Sequence, residues 1–334
     1  MSHVKLGVMS GNTKAGTMLG VLLDRATIDT NDIDFADLES IFSEWRAYDY
    51  TSTREVHDRI ADAVIVVSNK VMLDEAALRS AARLRCVCIA ATGTNNVDLQ
   101  AAKQLGIPVS NVRGYATPAV IQHVFALILA LTTRLSDYHR AVLDGRWQQA
   151  RQFCLLDYPI RELQGKTLGI VGYGELGRGV ATIAEAFGMN ILAAQRPGGA
   201  AQADRMPLDA LLPQVDILSL HCPLTPATQG LIGERELALM KRDAVLINTA
   251  RGGIVDEQAL AEALRGRRLG GAGVDVLTEE PPIRGNPLLA ADIPNLIITP
   301  HSAWASRETR QRVVQEVATN IHAFLDGAPR NLVI

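Results

Sequence analysis

Three side chains in the C-terminal half have the types that acid–base chemistry on a carboxylate-bearing molecule needs. Arg251 stands in Asn248-Thr249-Ala250-Arg251-Gly252-Gly253, just past the apolar run Ala244–Ile247. Glu280 follows the run Ala272–Val276, which itself contains Asp275. His301 stands in Thr299-Pro300-His301-Ser302-Ala303-Trp304, at the end of the run Leu296–Thr299. Arginine offers a planar two-pronged fork to a carboxylate. Histidine titrates near neutrality and can give or take a proton in either direction of a reaction. A carboxylate beside an imidazole favours its charged form and orients it. The trio therefore suits reduction of a 2-keto acid, in which a carboxylate is gripped while the adjacent oxygen receives a proton. Singly, each has an ordinary structural reading: Arg251 as a surface ion-pair partner, Glu280 as loop charge, His301 as a cap for the following helix. What unites them is position, because each falls at the end of an apolar run that reads as a strand. Open parallel sheets bind ligands at the carboxyl ends of their strands.

Upstream, Leu168–Val171 leads into Gly172-Tyr173-Gly174-Glu175-Leu176-Gly177 and then a helical pattern to Phe187. Strand, glycine-rich turn and helix in this order are the context that a dinucleotide motif requires. The first glycine makes the tight turn, the second lets the backbone approach a pyrophosphate, and the third lets helix pack on strand. The cofactor ribose is then expected at the end of the next strand, Asn190–Ala194, which is followed by Gln195 and Arg196 rather than by an acid. Gln195 can accept from a ribose hydroxyl but repels no phosphate, and Arg196 can pair with a 2′-phosphate. Two readings stand side by side: a site that accepts NADPH, or a plain NAD site with Arg196 solvated.

These residues must be held by α/β architecture. Leu19–Leu23, Val64–Val67, Val87–Ala90, Ile107–Ser110, Leu168–Gly172, Ile191–Ala194, Ile217–Leu220, Ala244–Asn248, Ala272–Val276 and Leu296–Thr299 read as strands. Most are continuously apolar, as strands covered on both faces are, and their alternation with helical stretches implies parallel sheets. Thr117-Pro118 reads as an N-cap and first-turn proline, opening a helix to about Arg134 that is apolar on nearly every side. Residues 1–17 read as a loose extension, or Val4–Met9 as an extra edge strand.

The chain has 334 residues, enough for two domains, and a formal net charge of −3. Nothing in that charge attracts nucleic acid or an anionic membrane. The longest apolar run, Val124–Leu131, is far shorter than a membrane span needs, and no signal-peptide pattern opens the chain. Cys86, Cys88, Cys154 and Cys222 form no Cys-x-x-Cys pair and no metal-ligand spacing; they read as reduced thiols of a cytoplasmic protein. His57 and His139 read as solvated, His3 as part of the loose N-terminus, and His123 as a satisfied buried histidine near the cofactor.

Five ordered segments carry a resemblance: ATGTNNVDL from Ala91, HCPLTPATQGLI from His221, INTARGGIVDEQALAEAL, GAGVDVLTEEPP and ITPHSAWAS. They resemble the motifs of the D-isomer-specific 2-hydroxyacid dehydrogenase family. The similarity runs from about Met18 to the C-terminus. The segments around Pro118 and Gly172 look most like glycerate dehydrogenase and hydroxypyruvate or glyoxylate reductase. The resemblance implies two doubly wound parallel-sheet domains, with a Rossmann cofactor domain (116–301) inserted in a flavodoxin-like substrate domain (1–115 and 302–334). The crevice between them would take the substrate. Arg251 would bind the substrate carboxylate and keto oxygen, His301 would be the general acid/base and Glu280 its partner. Thr92, Gly93 and Thr94 would offer backbone N–H groups to the carboxylate, and Trp304 would wall the pocket, with Phe153 and Leu155 nearby. Gly172, Gly174, Glu175, Leu176, Gly177, Gln195, Arg196, His221, Pro223, Thr249, Ala250, Arg251, Asp275, His301 and Ala303 would line NAD or NADP. No metal is implied, and a homodimer is.

Other activities of the same family remain as alternatives, of the D-lactate or phosphoglycerate type. The chain's end at Ile334 speaks against a phosphoglycerate enzyme with a further C-terminal domain, and Glu280 against formate chemistry, where a glutamine is expected. A different class, a non-catalytic NAD(H)-sensing protein, is disfavoured by the intact Arg251, Glu280 and His301.

Overall fold

A computed structural model describes residues 17–196, 199 and 202–334. The N-terminal stretch with its possible edge strand, and His3 in it, lies outside the described residues. The chain divides into two compact units, one of the described residues up to Tyr115 with Arg307–Ile334, the other Ala116–Ser306. The second crossing falls after Ser306, later than the 301/302 boundary read from the sequence. The reason is that the Ser302 and Ala303 N–H groups donate to Asp275, at 2.9 and 3.0 Å, and so stay with the second unit.

The first unit is a parallel sheet of β1 (Leu19–Leu22), β2 (Glu44–Ala47), β3 (Ile65–Ser68), β4 (Cys86–Ile89) and β5 (Val109–Ser110). Their order is β2-β1-β3-β4-β5, that of flavodoxin-like sheets. β1, β3 and β4 are buried along their whole length, which is why their apolar runs stood out. β2 did not, because an edge strand of sequence Glu-Trp-Arg-Ala is half exposed and carries no such run. The thiols of Cys86 and Cys88 lie free and buried on one face of β4, 3.9 Å apart. The helix Arg307–Leu325 joins this unit by burying Val313, Val314, Val317 and Ile321. Buried Asn320 fastens it, donating to the Asn111 carbonyl and accepting from Asn331, both at 3.0 Å. Arg310 completes the attachment with a two-pronged pair to Asp32, at 2.6 and 2.8 Å.

The second unit holds β6 (Thr167–Val171), β7 (Asn190–Ala193), β8 (Ile217–Leu220), β9 (Val245–Asn248), β10 (Gly271–Val274) and β11 (Leu296–Ile298). The order is β11-β10-β9-β8-β6-β7, and all pairs are parallel. Beyond β7 a single parallel bridge joins Ala194 to Met206. Counted as a strand one residue pair long, it restores the 3-2-1-4-5-6 order of dinucleotide-binding sheets, extended by β11. The helix Thr117–Thr133 buries Val120, Val124, Phe125, Leu127, Ile128 and Leu131 in the core over β6, β8 and β9. Gln122 and Ala126 remain exposed, so the helix is covered on most of its circumference rather than all. Its N-cap is Ala116, not Thr117; the Thr117 hydroxyl instead donates to Glu175 at 2.7 Å. Among the described residues no single helix is long and apolar enough to cross a membrane.

The Asp32–Arg310 pair sets an acid-dependent term in the first unit's stability. Hydrogen bonding to the Arg310 guanidinium holds the Asp32 carboxyl well below the usual carboxylate range. Its contribution is therefore complete above the unfolded value of about 4 and is lost as pH falls below it. Urea melts of wild type and Asp32→Asn should differ at pH 7, and the difference should shrink on acidification below about pH 4.

Candidate active site

The glycine turn meets a different steric demand at each position. Gly172 has φ +96°, in the left-handed half of backbone space that glycine alone enters freely. A Cβ there would also stand 2.5 Å from the His221 carbonyl carbon. A Cβ on Gly177 would stand 2.3 Å from the Gly172 oxygen, so the helix can approach the turn only without one. Gly174, the N-cap of the helix Glu175–Ala186, would project a Cβ into open space, with nothing within 4 Å. Gly174 stands at the N-terminus of a 12-residue helix, and phosphate binds at such helix ends. The turn is thus shaped for a pyrophosphate. Leu176 turns its side chain into the core, so only its backbone can face a ligand. Glu175 is exposed.

A second observation fits a bound nucleotide. The Thr249 hydroxyl, just after β9, is buried with no hydrogen-bond partner among the described residues. Such a group costs about 1–3 kcal/mol unless something satisfies it, and a ligand along the strand ends would do so. Around it the loop is tied down by buried Asn248, whose side chain donates to the Arg251 carbonyl at 3.0 Å and accepts from the Ala250 N–H at 3.1 Å. The Arg251 guanidinium is exposed and donates to the Ala250 carbonyl at 2.7 Å. It pairs with no carboxylate among the described residues, so its reading as a surface ion-pair partner is not realised. Next to it, a Cβ on Gly252 would lie 2.0 Å from the Leu277 carbonyl. The absence of a side chain here lets the loop after β9 touch the loop that carries Glu280.

His301 and Glu280 meet directly, His301 Nδ1 to Glu280 Oε2 at 2.7 Å. The other carboxylate oxygen accepts the Leu277 N–H at 2.8 Å. An ionised carboxylate only accepts, so Nδ1 carries the hydrogen and Nε2 is the ring nitrogen left for another partner. The side chains are 30% and 34% exposed, open to a ligand yet partly shielded.

The peptide that presents His301 is wrapped around Asp275. Its N–H donates to the Asp275 carbonyl at 2.7 Å. The Asp275 carboxylate, 1% exposed, accepts from the Thr299 hydroxyl at 2.5 Å as well as from Ser302 and Ala303. Thr299 has spent its only hydrogen, so at 2.9 Å it must accept from His123 Nε2. His123 stands 3.7 Å from Asp275. His301 itself has φ +51°, a conformation that costs a non-glycine residue about 1–2 kcal/mol, and these bonds hold it there. Thr299 is the neighbour that reading the sequence did not name as a site residue, and His123, expected buried near the cofactor, is half-buried and bonded to it. The one signal was a lone imidazole in the apolar stretch Val120–Leu131.

The remaining residues fall as follows. Gln195 is half-buried after β7, its N–H donating to the Met206 carbonyl at 2.8 Å, and Arg196 is exposed. His221 follows β8 and bonds to Ser219 Oγ at 2.9 Å. Part of its surface is open, but the ring lies deep enough that desolvation pushes its pKa down to about 4. It is therefore neutral at pH 7. The Pro223 carbonyl accepts from Thr228 Oγ1 at 2.6 Å. Ala303 is buried and Trp304 packs beside it in the core. Thr92, Gly93 and Thr94 lie in the first unit after β4, where Thr92 Oγ1 donates to Val112 and the Thr92 carbonyl accepts from Asn111. Phe153 is 90% exposed, so within its own unit it lines no pocket.

A turn shaped for a dinucleotide and an imidazole–carboxylate pair after neighbouring strands of one sheet together point to a doubly wound oxidoreductase. Residues 125–303 match the NAD binding domain of D-isomer specific 2-hydroxyacid dehydrogenases. The chain is 44% identical to a glycerate dehydrogenase of Methylorubrum extorquens, over 94% of this chain and 98% of that one. It is 38% identical to a hydroxypyruvate reductase of Blautia hydrogenotrophica, over 94% and 98%. The fold matches a D-lactate dehydrogenase of Aquifex aeolicus solved with NAD and lactic acid, with TM-score 0.79, 28% identity and coverage of 94% and 98%. The chain belongs to the D-isomer-specific 2-hydroxyacid dehydrogenase family, whose members are NAD-dependent oxidoreductases.

The glycines make opposite predictions. Gly174→Val should leave the melting temperature unchanged and abolish NADH binding, read by quenching of protein fluorescence. Gly172→Ala should lower the melting temperature itself, because both its φ and its contact with His221 forbid a Cβ.

Proposed function

We propose that the chain reduces hydroxypyruvate and glyoxylate to D-glycerate and glycolate. The observation that carries this reading is the His301–Glu280 pair, with Nδ1 engaged and Nε2 available, beside a nucleotide-shaped turn. The names of the two relatives given above specify glycerate and hydroxypyruvate, and three further relatives are named glyoxylate reductase. When bound, the reduced nicotinamide supplies a hydride to C2 of the substrate. Arg251 holds the carboxylate and keto oxygen in its fork. His301 gives its Nε2 proton to the oxygen as negative charge develops there. Glu280 keeps the imidazole oriented and stabilises its cation. Trp304 walls the substrate side. Ala250, Thr249, Asp275 and Ala303 line the nicotinamide end, and His221 and Pro223 the adenosine end. The neutral state of His221 adds no charge there.

NADP is accepted as well as NAD in this reading, because Gln195 lacks the negative charge that rejects a 2′-phosphate and Arg196 can pair with one. The working form is a homodimer. A second copy would cover the apolar side chains Leu135, Leu143, Trp147, Phe153 and Leu156, which the isolated chain leaves exposed. The free cysteines suit the reducing cytoplasm.

Initial rates with hydroxypyruvate and glyoxylate test the reading. Turnover is expected with both, and a protein that binds NADH tightly yet turns over neither would instead take a bulkier keto acid or act as a redox sensor. His301→Asn should lower kcat about 100-fold or more at every pH. Arg251→Lys should lower kcat/KM about tenfold or more although charge is kept, since the fork is lost. Wild-type turnover in either variant would remove that residue from the mechanism. Gln195→Asp should depress kcat/KM with NADPH while sparing NADH, and an unchanged ratio would count against NADP use.

A further inference from the structure

One arginine that the site above does not use is held beside the nucleotide turn. Arg205 immediately precedes Met206, and Met206 is bonded on both sides to the end of β7. Its N–H donates to the Ala193 carbonyl at 2.9 Å, and its carbonyl accepts the Gln195 N–H at 2.8 Å. Arg205 is therefore fixed next to Gln195 by backbone hydrogen bonds, although nine residues of sequence separate them. Its guanidinium lies over the Tyr173 ring, 4.4 Å from the centroid. Tyr173 is the residue between the first two glycines of the turn. The arginine side chain is only 16% exposed, and its ion-pair partner, its neighbour Asp204 at 3.2 Å, is 72% exposed. A cation stacked on an aromatic face and mostly withdrawn from water keeps its orientation, unlike the exposed Arg196. The other arginine nearby, Arg178, donates to the Tyr173 carbonyl at 3.3 Å from the following helix.

The placement has a chemical meaning. In sheets of this order the adenosine ribose meets the end of the second strand, here Gln195, with the glycine turn alongside. Arg205 bridges these two places. We propose that Arg205 and Arg196 form a two-cation subsite for a phosphomonoester on the adenosine ribose, with Arg205 the preorganised member and Arg196 the exposed one. The subsite rests on the NADP reading given above and adds the residue that makes it selective. The bridge at Met206 is the device: one pair of residues, too short for a strand, anchors a cation where the loop alone would leave it free. Asp204 stays in solvent and gives way to the dianion, since a fork shared with phosphate makes two parallel charge-assisted bonds.

The probes are adenosine 2′,5′-bisphosphate and 5′-ADP, which carry no nicotinamide, so binding is read apart from turnover. Calorimetry at one fixed ionic strength should show wild type binding the 2′-phosphorylated probe about tenfold or more tightly than 5′-ADP. Arg205→Leu keeps an apolar stem on Tyr173. It should lose most of that preference while its affinity for 5′-ADP stays within about twofold of wild type. Arg205→Lys should restore part of it, as a point charge without the fork. A wild type with no preference would overturn the NADP reading and the subsite with it. A preference retained in Arg205→Leu but lost in Arg196→Ala would leave the NADP reading standing and remove Arg205. Equal loss for both probes in Arg205→Leu would make Arg205 a support for the turn and end the proposal.

Discussion

The second unit is organised around one buried carboxylate. Asp275 is almost fully withdrawn from water and is the point where three strand ends are laced together. Its N–H goes to the Asn248 carbonyl at the end of β9, and its carbonyl takes the His301 N–H. Its carboxylate takes Thr299, Ser302 and Ala303 after β11. Removing an ionised carboxylate from water is expensive unless each oxygen is engaged. Bonds to a charged group each contribute about 1.5–3 kcal/mol. The loop therefore has one low-energy course, and His301 is held in a left-handed conformation that it would not adopt alone. Asp275 fixes the backbone course at His301, while Glu280 engages its ring.

Contact distances are set elsewhere by missing side chains. Gly252 lets the arginine loop touch the backbone that carries Glu280, and Gly177 lets a helix approach the turn before it. Gly174 has no such steric need inside the protein. Its missing Cβ leaves space for something outside it, and the unpartnered Thr249 hydroxyl asks for a ligand in the same way. Vacant space and an unsatisfied donor at the strand ends are positive signs of a nucleotide, because the folded protein by itself explains neither.

Much of this was legible beforehand. Strands buried on both faces announce themselves as continuous apolar runs, and of the eleven strands among the described residues ten were read from such runs, including the less buried β7 and β11. The strand that was missed, Glu44–Ala47, is half exposed and alternates charged with apolar residues, so it carries no continuous apolar run. The bridge at Met206 was illegible for a related reason, since one residue pair leaves no periodicity. Thr117 was misread as a cap because its hydroxyl found a partner distant in sequence, Glu175. His123 could be recognised as satisfied, but it is half-buried rather than buried, and its bond to Thr299 was not legible.

By itself the sequence determined the class of fold, the glycine turn, and which arginine, glutamate and histidine stand at strand ends. These depend on local pattern: burial periodicity, backbone freedom at glycine, and residue type next to a strand. Only the tertiary structure decided that His301 Nδ1 faces Glu280, that Asp275 carries the His301 loop, and that Arg205 lies on Tyr173 beside Gln195. Those relations join residues far apart along the chain. They arise from the register between neighbouring parallel strands, where hydrogen bonds between backbones place the loops at the strand ends side by side.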